Sequence, residues 1–222
     1  MDNGPQQTVQ ALDLYRSAKC YLMKNGFESE LRWQESLNPG KFSETDLLRE
    51  SAWVVLCSGF RESIVRRDFQ KISLCFFDWE SATLICEYRS HCRAAALSRF
   101  KNKKKIDAII GIAEHVAEIG FDQFKEWVLA DPMSTLQIFP FIGAITVFHL
   151  AKNLGLSVAK PDRHLRRIAL TFGYEDVGLL CKDISSANGD SVKLVDIVLW
   201  RYSERNATTL RRTTEPRCGP VV

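Results

Sequence analysis

Two short stretches carry residue types that could do chemistry, and about twenty residues separate them. The second, Lys160-Pro161-Asp162-Arg163-His164-Leu165-Arg166-Arg167, sets one carboxylate at the head of an apolar helical segment. A carboxylate there caps free backbone N–H groups, and an aspartate in that position needs no other purpose. The same group, if it faces a cleft, can also stabilise a positive charge that develops on a substrate, and the two roles are compatible. The first stretch is Phe139-Pro140-Phe141-Ile142-Gly143. A tight turn there leaves N–H donors at the start of a helix expected over 142–154, and such donors together with the helix dipole suit a phosphate oxygen. Gly143, lacking a Cβ, lets a backbone from another molecule approach closely. An ordinary helix–helix turn uses the same Pro and Gly.

The segments that must position these residues read almost throughout at helical period. Apolar residues recur at helical spacing over 9–23, 45–57, 104–119, 121–130, 142–154, 162–172 and 192–202, with shorter helix-like pieces at 28–35, 63–71, 79–88 and 176–184. Ser43 is placed to cap the 45–57 helix, Gly120 to stop the 104–119 helix, and Gly155 and Gly173 to end two others. Leu74–Phe77 could be a strand, but no hairpin partner accompanies it. The predicted class is all-α, with about ten or more short helices joined by brief linkers, among them 36–41, 131–134, 157–161 and 185–190.

Composition narrows the function classes. Hydrophobic residues make up 45% of the 222 and charged residues 26%, enough apolar surface to fold without disorder dominating. No apolar run approaches the roughly 20 residues that span a bilayer, and the first ten residues are polar, so neither a membrane partner nor a secretory signal is expected. The seven cysteines, with no CxxC pair, are read as reduced thiols of an intracellular protein. Cys86 and Cys92 flank His91 at a spacing poor for zinc, so no metal and no cofactor is expected. The net charge of +3 is mild, but its placement is uneven. Arg201, Arg205, Arg211, Arg212 and Arg217 outweigh Glu204 and Glu215 in a polar tail expected to be disordered. Lys101, Lys103, Lys104 and Lys105 form a second cluster beside Arg93 and Arg99, which could neutralise phosphates or simply face solvent.

Taken together and in this order, the two stretches resemble the helix-hairpin-helix (HhH-GPD) superfamily of DNA base-excision glycosylases. Members carry a hairpin of the form L-P-G-I-G, then a helix, then V-D-x-H-V-x-R. The matching elements are Phe139–Gly143 and Pro161–Arg167. The likeness extends to Ser98–Ala113, similar to the family's basic helix start, to Ala52–Ile64, similar to its first core helix, and to Leu194–Tyr202, similar to a closing helix. It covers roughly residues 45–203 by pattern.

The resemblance implies a two-lobed helical fold. One lobe would span 51–156 and end in the hairpin; the other would combine 1–50 with 157–222, and the site would lie in the groove between them. It implies a monomer that binds double-stranded DNA containing a damaged or modified base, flips the base out and hydrolyses its N-glycosidic bond, in repair or in defence against modified viral DNA. Asp162 would be catalytic. Phe139, Phe141, Gly143, Ala144 and Thr146 of the hairpin, with Arg163, Arg166, Arg167, Lys103 and Lys104, would contact DNA. Trp53 and Phe60 are the candidates for stacking on the flipped base, although both also suit a core.

Three departures shape the expectation. Phe141 stands where the family has its first hairpin glycine; a positive φ is costly for so large a residue, so the turn is expected to differ and to grip phosphate less well. Ile145 replaces the lysine of bifunctional members, so no Schiff base can form and no lyase activity follows. The four-cysteine iron–sulfur loop of one branch is missing. The alternative function is a helix-hairpin-helix DNA-binding module without catalysis.

Overall fold

The computed structural model of the chain describes residues 5–206, and among them every regular element is helical. The basic tail lies almost wholly outside the described residues. In chain order the α-helices are α1 (Pro5–Lys24), α2 (Glu28–Ser36), α3 (Glu44–Cys57), α4 (Glu62–Leu74), α5 (Ala82–Glu87), α6 (Arg89–Arg99), α7 (Lys103–Ile119), α8 (Phe121–Ala130), α9 (Pro132–Gln137), α10 (Thr146–Asn153), α11 (Arg163–Thr171), α12 (Val177–Asn188) and α13 (Val192–Arg205). No helix among the described residues is long and apolar enough to cross a membrane.

Local chemistry explains most of these boundaries. Ser43 accepts the Asp46 N–H at 3.1 Å while the Asp46 carboxylate accepts the Ser43 N–H at 3.0 Å, a reciprocal cap at the head of α3. Ser43→Ala is therefore expected to destabilise the protein by about 1 kcal/mol, read as a lowered midpoint in denaturant titration. Gly120 ends α7 at φ +88 and hands over directly to α8. The 131–134 linker expected from sequence contains a helix start: Asp131 accepts the Ser134 N–H, and Pro132 opens α9.

The 74–77 segment is not a strand. It is the end of α4 followed by a left-handed turn, with φ of 53, 49 and 68 at Phe77, Asp78 and Trp79. Burial of aromatic rings accompanies this unusual backbone. Trp79 stacks on Phe76 at 4.8 Å, and its indole N–H donates to Ser73 Oγ at 2.9 Å.

The chain divides into two units, Met1–Ser36 with Ser157–Val222, and Leu37–Leu156. The first boundary falls at 36/37 instead of the expected 50/51. A cut at 50 would sever α3, whose Leu47, Leu48, Val54 and Val55 are buried as one face.

In the 37–156 unit, α7 is the central helix and packs against α3, α5, α6 and α8. Its Ile106, Ile109, Ile112, Ala113 and Val116 are buried. In the other unit α1 packs on α12 and α13, and α2 and α11 both lean on α13. The core there joins Tyr15 and Leu22 to Leu165, Tyr174, Ile184 and Val198. The Tyr15 hydroxyl donates to Asp190 at 2.6 Å, and Lys19 pairs with the same carboxylate at 2.8 Å, tying α1 to the head of α13.

Candidate functional site

In the 37–156 unit, α9 and α10 are joined by a turn over residues 138–145. Helix α10 starts at Thr146, four residues later than periodicity predicts, because the turn consumes Ile142–Ile145. Phe141 adopts φ +67, a left-handed backbone that bulky L-residues rarely take. The phenylalanine thus sits in the costly conformation that a glycine would favour.

The turn is closed from within. The Ile142 N–H donates to the Phe139 carbonyl at 3.1 Å. The Gly143 N–H donates to Thr146 Oγ1 at 2.7 Å, and that hydroxyl donates to the Phe141 carbonyl at 3.1 Å. Among the described residues, the N–H groups of Phe141, Ala144 and Ile145 have no hydrogen-bond partner. Residues 141, 143, 144 and 145 are exposed. Together with Ser58 and Thr146 they line an open hollow of about 440 Å³.

These contacts redistribute the expected roles. Phe139 is 2% exposed and stacks on Phe124 at 5.1 Å, so its side chain is core. The Thr146 hydroxyl is committed to the turn. The Gly143 N–H is taken as well, so the donors available to an anion are those of Phe141, Ala144 and Ile145. Gly143 itself has no internal reason to lack a side chain: a Cβ there would meet no atom within 4 Å, and its φ is not in the left-handed region.

Beneath the turn lies a residue that sequence reasoning grouped with a solvated cluster. Lys105 is 3% exposed. Its ammonium donates to the carbonyls of Val55, Leu56 (2.9 Å) and Ser58 (2.5 Å) at the end of α3. The rings of Phe60 and Phe141 lie 4.9 and 5.4 Å from the same nitrogen. Burial pushes the ammonium below its ordinary pKa. The signal was present in the sequence: Lys105 shares the helical stripe of Ile109, Ile112 and Val116. A second buried charge, Glu50, accepts the Asn153 side-chain amide at 2.8 Å and pairs with Arg49, joining α3 to α10. Burial raises its pKa against the opposing pull of Arg49.

Lys103 and Lys104, in the first turn of α7, are exposed, and Lys103 helps to lower the pKa of Asp107 one turn on, behind the larger effect of Arg93. Two cations at a helix N-terminus oppose its dipole. Replacing both (Lys103→Glu with Lys104→Glu) relieves that opposition but sets a carboxylate one turn before Asp107, so a net stabilisation of about 0.5–1 kcal/mol at low salt is expected. If both touch phosphates, it also lowers the salt slope of duplex binding by about two. Thermal melting and a salt titration read the two effects separately. Trp53 is half-buried, with Phe69 edge to face at 5.0 Å and Arg66 over its ring, and it is not among the residues lining the hollow. Phe60 is 42% exposed and packs on Phe100 at 5.4 Å.

In the unit containing 157–222, Asp162 is the N-cap of α11, as its position predicts. Its Oδ1 accepts the N–H groups of His164 at 2.8 Å and Leu165 at 3.1 Å. The side chain is only half-buried, and among the described residues nothing hydrogen-bonds to Oδ2. The segment that delivers it is held by Asp196 of α13, a fully buried carboxylate that accepts the Lys160 N–H at 2.6 Å.

His164 Nδ1 lies 3.1 Å from Ser203 Oγ, and Arg167 donates to the same hydroxyl at 3.1 Å. Burial lowers the His164 pKa, favouring the neutral ring. Arg167 is turned inward, and its Nε is buried without a partner among the described residues, which sets it apart from a phosphate-binding surface. Arg163 and Arg166 are exposed.

Among the described residues no group of His, Cys, Asp or Glu is arranged to hold a metal ion. Cys92 and Cys181 are buried, while Cys20 is exposed. The chain matches no protein-family model, no curated protein and no solved structure.

Proposed function

We propose that this protein is a monofunctional DNA glycosylase that removes a damaged or modified base and leaves an abasic site. The observation that carries this reading is the turn at 138–145. It holds a left-handed residue at the position where the resembled hairpin has glycine, and it leaves the N–H groups of exposed residues 141, 144 and 145 without a hydrogen-bond partner among the described residues, beside an exposed Gly143. Holding a phenylalanine in that conformation costs the fold free energy, and the unpartnered donors it leaves suit phosphate oxygens.

A base inside a duplex is out of reach, so the nucleotide must first be flipped, at a cost of a few kcal/mol. Breaking the N-glycosidic bond then builds positive charge on the sugar. The free oxygen of Asp162 is suited to stabilise that charge and to orient the attacking water, while its other oxygen stays fixed by the cap of α11. A carboxylate anchored through one oxygen has lost its rotational freedom, which is the preorganisation such a step requires. Ile145 offers no amine, so the reaction stops at the abasic site.

A second reading, a DNA-binding module without catalysis, is favoured by one fact: capping alone accounts for an aspartate at 162. The test is incubation with a panel of duplexes carrying damaged and modified bases, heavily modified phage DNA included, followed by alkali cleavage. Strand breaks at the modified base after alkali, and intact strands without it, are expected. Tight, salt-sensitive binding without any abasic site would favour the module instead.

A further inference from the structure

We propose that Lys105 is a positioning residue for the 138–145 turn: its buried ammonium, fixed to the last carbonyls of α3, holds the ring of Phe141 and so keeps a phenylalanine in a left-handed backbone position. The inference deepens the DNA-binding part of the reading above and rests on it only for its affinity readout.

An ammonium has three N–H donors, and three carbonyls, those of Val55, Leu56 and Ser58, accept them. These belong to the helix end whose carbonyls lack intrahelical partners, so Lys105 closes the end of α3 as it is itself pinned. With its hydrogen bonds satisfied, the cation can interact with ring faces alone, and the rings of Phe60 and Phe141 lie within 5.5 Å of it. Glycine would adopt the turn at position 141 unaided. Phenylalanine needs a contact that exists only in the left-handed geometry, and the desolvated cation supplies it. Lys105 thus stands in for the missing glycine, and the unpartnered N–H groups of the turn depend on a residue that no DNA could touch.

The test reads the turn directly through exchange protection of the Gly143 amide, which the Thr146 hydroxyl accepts only when the turn is closed. In Lys105→Met the amide is expected to exchange roughly tenfold faster, and affinity for a plain duplex to fall roughly tenfold. Adding Phe141→Gly to Lys105→Met restores the protection, because glycine needs no support; a lysine that merely caps α3 would show no such rescue.

Lys105→Met removes a buried cap and can fail to fold, so a second pair leaves Lys105 in place. Phe141→Leu, which keeps the bulk and loses the ring, is expected to open the turn, whereas Phe141→Gly keeps it closed. Wild-type protection in Phe141→Leu, or no rescue by glycine, overturns the proposal. Faster exchange with unchanged DNA affinity upholds it and sinks the DNA-binding reading instead.

Discussion

Asp162→Asn is expected to abolish abasic-site formation while leaving the fold and duplex affinity in place. Asparagine caps a helix as well as aspartate does, and its carbonyl oxygen can take over the bonds from the His164 and Leu165 N–H groups. Stability should therefore change by no more than about 0.5–1 kcal/mol, mostly the lost charge–dipole attraction at the head of α11. What disappears is the negative charge on the second oxygen. Losing one fixed group that meets developing charge slows such reactions on the order of 10²–10³-fold. Single-turnover alkali cleavage measures the loss, and a melting curve with a binding isotherm checks the rest. A variant that excises at the wild-type rate would leave Asp162 as a cap and nothing more.

Gly143→Ala should do the reverse of an ordinary glycine substitution. Six of the ten glycines among the described residues stand at positive φ, where a side chain strains the backbone whatever space surrounds it. Gly143 does not, and an added methyl would point into empty space. The expected change in stability is within about 0.5 kcal/mol. If the turn lies against a DNA strand, the methyl occupies the path by which a phosphate reaches the N–H groups of Ala144 and Ile145. Duplex affinity should then fall roughly tenfold, and uniformly across sequences, since phosphate contacts carry no base information. Fluorescence anisotropy on several unrelated duplexes decides it. Unchanged affinity would remove this turn from the binding face.

The two variants fail independently. The first separates chemistry from binding at a helix cap in one unit; the second separates binding from folding at a turn in the other. An active protein with a silent Gly143→Ala variant binds DNA elsewhere, with the exposed Lys103 and Lys104 as the next residues to examine. A protein whose affinity responds to Gly143→Ala but which cleaves no base is the non-catalytic module.

How much of this was legible in the sequence follows from the range over which each feature is determined. Helix positions were readable because apolar spacing along α1, α7 and α13 repeats at the helical period, and because capping is settled within three or four residues. Ser43, Gly120 and Asp162 each act on their immediate neighbours, and each stands where the sequence predicts. The short α9 escaped notice because its start lies inside what reads as a linker, with too few residues to show a period.

The features at the turn depended on distant parts of the chain. Phe139 and Phe141 look alike in sequence, but Phe124 buries the one and Lys105 engages the other. Lys103, Lys104 and Lys105 form a run of identical residues. A helix rotates each by about 100°, so the first two meet water and the third meets the carbonyls of a helix some fifty residues earlier. Periodicity can say which face a residue takes; only the folded chain supplies what waits on that face. The sequence alone therefore determined an all-helical chain with an aspartate cap at 162, while tertiary contacts decided which of its charges are buried and how a phenylalanine holds a left-handed turn.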